Sequence, residues 1–350
     1  MNTDLLHFLS LPTQDVRDVY AAAANRLNTL PTYVEKDLWV CVVLDALYNR
    51  LPKGHPKLLF KGGTSLSKGF GLVNRFSEDI DLVVHRDKLG FHGDRDPTNE
   101  GVISNNRRKR LFKELKAACS DYLLEDLRFA LTKLIGTSLE GCRIVPDEDD
   151  ANRLTLLVEY PTLYTNSETP YVSPRVKIEA GARSALEPHL TCTVNPYIGD
   201  ELPDWSFKVD SIRVLAPERT FWEKLLILHG TYCGYRDDQR VPTDSNRLSR
   251  HYYDVAMILR TEVSASALSD LKLLDAVRGH NLIAFSQPWK RFEEAIPGSV
   301  RLVPQTALRK VIERDYAAMQ SMILGDPPEF GWILEQLERA ELVINQANNP

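Results

Sequence analysis

Two carboxylates separated by a single residue are the first groups in this sequence that could do chemistry. Asp79 and Asp81 flank Ile80 in the segment Glu78–Val84, which reads EDIDLVV. Residues two apart on a strand share a face, so both carboxylates project together while Ile80 points into a core. Like charges on one face repel each other unless a cation lies between them, and Mg²⁺ prefers carboxylate and phosphate oxygens. The pair predicts a metal site; the alternative is a surface strand with solvated acids.

A tight turn precedes this pair, between a short apolar strand at Leu58–Phe60 and a predicted helix. Its two glycines allow a sharp bend and let a ligand approach the backbone closely. Thr64 is predicted to cap the helix, so that its hydroxyl and the neighbouring N–H groups face an anion. Such a turn beside paired carboxylates predicts a nucleotide–metal site. The nucleotide-binding residues expected from this segment are Gly62, Gly63, Thr64, Ser65 and Lys68.

The composition of the chain restricts what the site could belong to. The 350 residues suffice for two domains, and 43% hydrophobic content supports a core. A net charge of −5 argues against a globally basic nucleic-acid-binding protein, so any RNA contact needs a local basic patch. Five single cysteines without a CxxC pair argue against a disulfide framework or a zinc site. Without a signal-peptide pattern or an apolar run of roughly 18 residues, we expect a cytoplasmic protein that does not enter a membrane.

The pattern of predicted elements changes near residue 215. Strands are predicted over Arg153–Tyr160 and Pro174–Ala182, and the pattern is helical from Pro217 to the end. We therefore expect one domain over residues 1–215 and a helical C-terminal domain over residues 216–350.

A basic segment, Arg107–Lys116, opens another predicted helix. It is either a solvated helix face or a contact for the phosphate backbone of an RNA.

The string FKGGTSLSK, followed by RFSEDIDL, resembles the AbiEii/AbiGii family of nucleotidyltransferase toxins. This family is related to the mycobacterial MenT toxins and lies within the DNA polymerase β-like nucleotidyltransferase superfamily. The resemblance implies an α/β (α+β) fold: a polymerase β-like nucleotidyltransferase domain with a mixed, mostly antiparallel sheet, and a helical C-terminal domain. It places the active site in the cleft between the two domains. Thr64 stands where the superfamily often has serine, and it retains the hydroxyl.

A further segment near the N-terminus is similar to the one that precedes the turn in this family. A helix is predicted to begin at Thr32, with Glu35 completing a capping box. Glu35, Lys36 and Asp37 then lie near the start of this helix. We interpret them as a solvated first turn; the alternative, suggested by the resemblance, is a structural role or a place bordering the site.

Two later segments also match family motifs. Glu179, on the alternating strand PRVKIEAGARS, corresponds to the third acid, which is a metal ligand or a general base. Its alternative is a surface pair with Lys177. Lys224, in APERTFWEKLLILHG, corresponds to an essential lysine that would bind the triphosphate. Its alternative is a surface lysine whose stem covers apolar neighbours.

The segment RHYYD resembles the last motif of the family, in which the aspartate is needed for activity. We assign Asp254 as catalytic on this basis, with the role of orienting Lys224 or the nucleotide. Arg250 lies four residues earlier and could pair with Asp254 across one helical turn. Arg250 and His251 are candidates for phosphate binding, and His251 could instead be a structural histidine.

The resemblance as a whole implies the toxin of an AbiE-type toxin–antitoxin system, active in phage abortive infection. It would move a nucleoside monophosphate from an NTP to an acceptor, by resemblance the 3′ end of tRNA, and so arrest growth. A cognate antitoxin would be its protein partner, and we expect a monomer. Two alternatives remain: transfer to a protein or small molecule, and a nucleotide-binding regulator without catalysis. The implied catalytic residues are Asp79, Asp81, Lys224 and Asp254; the nucleotide-binding residues include Lys224 and Arg250; one or two Mg²⁺ ions would be held by Asp79, Asp81 and Glu179.

Overall fold

The computed structural model describes residues 2–99, 101, 104–164, 173–241, 243 and 247–347 and divides the chain into two units. Unit 1 comprises Met1–Phe70 and Phe76–Leu215, and unit 2 comprises Gly71–Arg75 and Ala216–Pro350. The short segment Gly71–Arg75 therefore belongs to unit 2, which no feature of the sequence indicated. It lies between the turn at Gly62 and Gly63, called the glycine turn below, and the strand that carries Asp79 and Asp81, called the acidic strand.

A seven-stranded mixed sheet forms the centre of unit 1. Its strands are β1 (Leu58–Lys61), β2 (Asp79–Val84), β3 (Arg143–Pro146), β4 (Thr155–Glu159), β5 (Arg175–Gly181), β6 (His189–Val194) and β7 (Val209–Leu215). They lie in the order β3-β4-β5-β2-β1-β7-β6. The pairs β1–β7 and β2–β5 are parallel, and the other four are antiparallel. The predicted sheet, mixed and mostly antiparallel, is confirmed.

Strand β2 lies between β1 and β5, and its sequence reflects this position. Its last three residues are all buried, as expected for a strand covered on both faces. At its beginning, buried Ile80 alternates with the half-buried Asp79 and Asp81. The two carboxylates thus occupy the end of an otherwise apolar strand, where the sheet gives them a rigid support.

The helices of unit 1 lie before the first strand and between the first three strands in the sequence. They are α1 (Thr3–Leu9), α2 (Thr13–Leu27), α3 (Pro31–Asp45), α4 (Gly62–Thr64), α5 (Asn105–Tyr122) and α6 (Arg128–Leu131). Wider helical turns continue three of them, at Ala46–Arg50 after α3, Ser65–Gly69 after α4 and Leu123–Leu127 after α5; another, Thr132–Gly136, follows α6. Short 3₁₀ turns lie at Arg86–Leu89, Gly93–Arg95 and Tyr197–Asp200. A helical path therefore runs through residues 105–136.

Helix α3 is buried along nearly its whole length, including its charged start, which was predicted to be solvated. Every residue from Thr32 to Asp45 is buried. The predicted capping box is wrong, because no side chain caps the start of this helix. The Glu35 carboxylate instead accepts hydrogen bonds from the Thr162 hydroxyl (2.6 Å) and the Leu163 N–H (2.8 Å).

Unit 2 is helical. Its helices are α7 (Pro217–Asp238), α8 (Ser249–Ile258), α9 (Glu262–Ser269), α10 (Leu271–Ala284), α11 (Thr306–Met319) and α12 (Phe330–Gln346), with 3₁₀ turns at Pro288–Lys290, Phe292–Glu294 and Gln320–Met322. The segment Gly71–Arg75 is fastened to these helices at Asn74, whose carbonyl accepts from the Leu324 N–H (2.9 Å) and the Tyr253 hydroxyl (3.2 Å). No helix in the described part of the chain is long and apolar enough to cross a membrane.

Candidate active site

The register between β2 and β5 brings the predicted acids of unit 1 together. Asp79 lies beside Lys177, and Asp81 lies beside Glu179. The prediction that Asp79 and Asp81 share one face is confirmed by their alternation with buried Ile80. Three carboxylates therefore lie on two adjacent strands.

The electrostatics of this group favour a cation. Burial raises the pKa of Asp79 to about 6, and repulsion from Glu78, Glu179 and Asp81 adds to this effect. Lys177 opposes the shift only in part. A bound cation would offset this excess of negative charge around the half-buried Asp79.

Asp79 and Asp81 fit a hard divalent ion, since both supply carboxylate oxygens from one rigid strand. Glu179 is placed differently: its Oε1 lies 2.9 Å from the Lys177 Nζ, the surface pair that was the alternative interpretation. In the described part of the chain, no three His, Cys, Asp or Glu side chains are placed to hold one metal ion. The structure thus brings two of the predicted metal ligands together, and Glu179 as a third remains a prediction.

The glycine turn lies directly against the acidic strand at Gly62. Gly62 has a φ of +81°, in the region that favours glycine, and a Cβ on it would lie 1.9 Å from the Asp81 Oδ2. No other residue fits this position, because a side chain would overlap the carboxylate. The turn and the paired acids are therefore parts of one site.

The hydroxyl groups of Thr64 and Ser65 are engaged by backbone carbonyls, and nucleotide binding by these two residues remains a prediction. The buried Thr64 donates its hydroxyl hydrogen to the Asp79 carbonyl, and the buried Ser65 donates to the Gly62 carbonyl (2.8 Å). The helix begins at Gly62, so the predicted capping role of Thr64 is wrong. What the turn can offer to an anion is the backbone N–H groups of its first residues, which a helix start leaves without a helical acceptor.

Lys68 is committed to the protein rather than directed at a ligand. Its ammonium lies 2.8 Å from the Asp37 Oδ1, contacts the Asn195 carbonyl and lies 4.2 Å from the centre of the Tyr197 ring. Burial alone would lower the pKa of Lys68, but Asp37 raises it above the ordinary value, so the lysine stays charged. These contacts give Lys68 a structural function, and nucleotide binding by it remains a prediction without support from them.

The buried charges of α3 were misinterpreted from the sequence. Glu35, Lys36 and Asp37 were expected to be solvated, yet each is at most 3% exposed. The Lys36 ammonium contacts the carboxylate of Glu78, the residue directly before Asp79, and Asp37 binds Lys68 behind the glycine turn. The alternative of a structural role is confirmed, and the start of α3 supports both the acidic strand and the turn.

Unit 2 contains a second group of charged residues, centred on Asp254 of α8. Its carboxylate is 0% exposed; Oδ1 lies 2.7 Å from the Arg75 Nε, and Oδ2 lies 2.8 Å from the Lys224 Nζ. Burial would raise the pKa of Asp254, but Arg75 and Lys224 hold it well below the usual range. Burial lowers the pKa of Lys224, against the opposing effect of Asp254. The sequence analysis linked Asp254 to Lys224 but missed Arg75.

Arg250 and His251 also belong to this group of charged residues in unit 2. Arg250 does not form the expected pair, since Asp254 binds Arg75 and Lys224, and the buried Arg250 Nε has no hydrogen-bond partner among the described residues. The His251 Nδ1 lies 3.4 Å from the Lys224 Nζ. Burial, Lys224 and Arg250 lower the pKa of His251 well below its ordinary value, so the ring is neutral and accepts at Nδ1. With Arg75, Lys224 and Arg250 as cations and Asp254 as the one carboxylate, this group has an excess of positive charge.

The chain is similar to known proteins in sequence and in fold. Residues 45–336 match the sequence model of the family described as nucleotidyl transferase AbiEii toxin, type IV toxin–antitoxin system. The match, together with the acidic strand and the glycine turn, defines a nucleotidyltransferase. The chain belongs to the AbiEii family of nucleotidyltransferase toxins.

A solved structure with a similar fold is MenT4, a nucleotidyltransferase toxin from Mycobacterium tuberculosis H37Rv. The similarity covers 94% of this chain and 90% of that chain, with a TM-score of 0.50 and 17% sequence identity. At this identity the comparison supports the fold alone. No curated protein sequence matches the chain.

Proposed function

We propose that this nucleotidyltransferase moves a nucleoside monophosphate from an NTP to the 3′ end of tRNA in a Mg²⁺-dependent reaction. The observation that carries the proposal is the contact between turn and strand, in which a Cβ on Gly62 would lie 1.9 Å from the Asp81 Oδ2. A polyphosphate bound by the N–H groups of this turn would lie beside the paired carboxylates. Family membership implies an NTP substrate and a cognate antitoxin.

Asp79 and Asp81 would hold the ion, and Glu179 is the candidate for an additional ligand or base. When bound, Mg²⁺ would neutralise charge on the phosphate oxygens and lower the pKa of the acceptor hydroxyl. The acceptor hydroxyl would give its proton to a base, for which Glu179 is the candidate, and its oxygen would bond to the α-phosphorus. The bond from that phosphorus to the bridging oxygen would break, and pyrophosphate would leave. The rigid strand β2 contributes by fixing both carboxylates before the substrate arrives.

Lys224 is proposed to stabilise the negative charge that develops on the departing pyrophosphate. Asp254 cannot contact a substrate while both its oxygens bind Arg75 and Lys224 in the protein interior. We therefore assign Asp254 as a positioning residue that fixes the Lys224 ammonium. The unpartnered Arg250 Nε suits a phosphate oxygen, which supports Arg250 as a nucleotide-binding residue.

The acceptor is tested by incubating the purified protein with total tRNA, Mg²⁺ and each α-labelled NTP in turn. Label in the tRNA is expected for the wild type and not for a folded Asp81→Ala variant. Label in a protein instead would overturn the tRNA assignment. Tight NTP binding without labelling of tRNA, protein or small molecules would favour a non-catalytic regulator.

The proposed consequence in the cell is growth arrest that the cognate antitoxin relieves. Expression of the wild-type chain alone should stop growth, whereas Asp81→Ala at the same level should not. We propose that the protein acts as a monomer, which light scattering of the purified chain measures directly. Growth arrest by the folded Asp81→Ala variant would show that toxicity does not depend on nucleotide transfer.

A further inference from the structure

A cavity of about 510 Å³ in unit 1 has no place in the proposed active site. It lies between the loop that precedes β1 and the helical path through residues 105–136. The loop contributes Lys53 and His55, and the helical path contributes Tyr122, Phe129 and Lys133. Sites for small ligands or single ligand groups are typically roughly 300–1,000 Å³, so this cavity is large enough to hold one.

One wall of the cavity is polar. The His55 Nδ1 lies 3.1 Å from the Tyr122 hydroxyl, and the two rings meet edge to face with their centres 5.8 Å apart. Tyr122 is buried, so this pair is held in place by the core. Imidazole and phenol groups can donate or accept hydrogen bonds, which suits the edge of a nucleobase.

Another part of the cavity lining is an exposed aromatic ring. Phe129 is 62% exposed, whereas Leu127 and Leu131 on either side of it in the sequence are 0% exposed. The Lys133 Nζ lies 4.3 Å from the centre of the Phe129 ring. A single exposed apolar side chain is common, but this one lines a cavity and carries an ammonium group on its face.

The charges around the cavity favour a nucleotide over an apolar peptide. Lys53 and Lys133 are cationic and Asp126 is anionic, so the lining has an excess of positive charge. A flat ring beside ammonium groups is the arrangement with which proteins bind unpaired nucleotides, by stacking of the base and by contact with phosphate. The phosphate of a nucleotide would gain from these two exposed lysines, whereas an apolar peptide would not.

We propose that this cavity, the Phe129 pocket, binds one unpaired nucleotide of the RNA acceptor. The base stacks on Phe129, and the phosphate lies near Lys53 and Lys133. The proposal rests on the proposed function in taking RNA as the acceptor. Helix α5 connects this pocket, at Tyr122, with the basic segment Arg107–Lys116 near its start, for which an RNA contact is one of the two interpretations.

The test is the affinity of the full chain for RNA without NTP, measured by fluorescence anisotropy. The probes are labelled total tRNA and a short single-stranded oligo(A) with one 2-aminopurine. We expect Phe129→Ala to weaken binding roughly 5- to 100-fold, and Phe129→Trp to retain it, because stacking needs a ring. Quenching of 2-aminopurine by the wild type should also be lost in Phe129→Ala.

Phe285→Ala is the matched control, because it removes another partly exposed phenylalanine (38%) from unit 2. Unchanged RNA affinity in Phe129→Ala would overturn the proposal. Binding of free adenosine monophosphate to this pocket, without any effect of Phe129→Ala on RNA, would overturn it as well.

The two proposals fail in different ways. If the wild type labels tRNA and Phe129→Ala labels it equally well at limiting tRNA, the Phe129 pocket is rejected and the proposed function stands. If Phe129→Ala loses RNA affinity while the wild type labels no RNA, the pocket is supported and the proposed acceptor is rejected.

Discussion

The ionised Asp79 carboxylate lowers the stability of the folded protein. Burial and three neighbouring carboxylates raise its pKa to about 6, from an ordinary value of 3.8. Because the folded state binds the proton more tightly than the unfolded state, ionisation of Asp79 opposes folding. Its contribution to the free energy of unfolding therefore declines as the pH rises from about 4 to about 6, and it stays low above that range.

Asp79→Asn should remove this cost. We expect the metal-free variant to be more stable than the wild type above pH 6, by on the order of 2 kcal/mol. The difference should vanish below about pH 4, where both forms are neutral at this position. Chemical denaturation in the presence of a chelator measures it, with Asp149→Asn, at an exposed position, as the control substitution. A variant less stable than the wild type at pH 8 would contradict this account.

Arg75 should matter for stability far more than an exposed arginine in a comparable number of ion pairs. It binds the fully buried Asp254 with two nitrogens, at 2.7 and 2.9 Å. Arg75→Met should lower the free energy of unfolding by about 3–5 kcal/mol, because it leaves a buried carboxylate with Lys224 alone. Arg236→Met removes exposed pairs with Asp237 and Glu294 and should cost less than about 1 kcal/mol. Equal losses in the two denaturation curves would contradict this comparison.

The residue-level predictions succeeded where a local pattern determines the geometry and failed where a distant residue does. Asp79 and Asp81 were assigned to one face because a strand has a period of two. The pair of Arg250 with Asp254 followed the same kind of local rule and was wrong, because Arg75, 179 positions from Asp254 in the sequence, supplies the stronger bidentate contact. A single arginine in a loop gives no periodic signal.

At the scale of elements, the site depends on how closely the glycine turn approaches β2. Gly62 and Gly90 have nearly the same φ, +81° and +83°, but a Cβ on Gly90 would meet no atom within 4 Å. Gly90→Ala therefore measures the cost of the backbone conformation alone, roughly 1 kcal/mol. Gly62→Ala adds a collision with Asp81.

We expect Gly62→Ala to abolish nucleotide transfer and to destabilise the protein by at least about 1 kcal/mol more than Gly90→Ala, since overpacking adds to the backbone strain. Gly90→Ala should retain activity. Thermal denaturation and the labelling assay, run on both variants, provide the comparison. An active Gly62→Ala enzyme would show that the turn does not need to lie against the acidic strand.

The elements themselves were largely predictable, but the burial of the charged residues at the start of α3 was not. Alternation identified β5, and the proline at the start of α7 marked its first turn. Three consecutive charges at the start of α3 indicate a solvated turn in any local analysis. They are buried because Glu78 and Lys68, both distant in the sequence, supply opposite charges to Lys36 and Asp37. Only the resemblance to the family pointed to a structural role.

At the scale of the whole molecule, the two units carry charged groups of opposite sign. Unit 1 holds Asp79 and Asp81 with an excess of negative charge, and unit 2 holds the cluster around Lys224 with an excess of positive charge. Metal-bound phosphates suit the first group and departing phosphates the second. That both serve one reaction is a prediction of the sequence analysis.

This prediction can be tested with Lys224→Met. We expect the variant to lose nucleotide transfer by roughly a hundredfold or more, as the removal of a charge that stabilises the transition state does. Mg²⁺ binding, measured by calorimetry, should persist because Asp79 and Asp81 are unchanged. Full activity in a folded Lys224→Met protein would separate the cluster of unit 2 from the chemistry.

The most direct measurement of the central claim follows the two ends of the triphosphate. The purified chain is given tRNA, Mg²⁺ and an NTP labelled either at the α- or at the γ-phosphate. We predict that the α label enters the tRNA, that the γ label leaves as pyrophosphate, and that both signals disappear in the folded Asp81→Ala variant. Transfer of the γ label to the acceptor, or undiminished transfer of the α label by Asp81→Ala, would contradict the assignment of this site to nucleotide transfer.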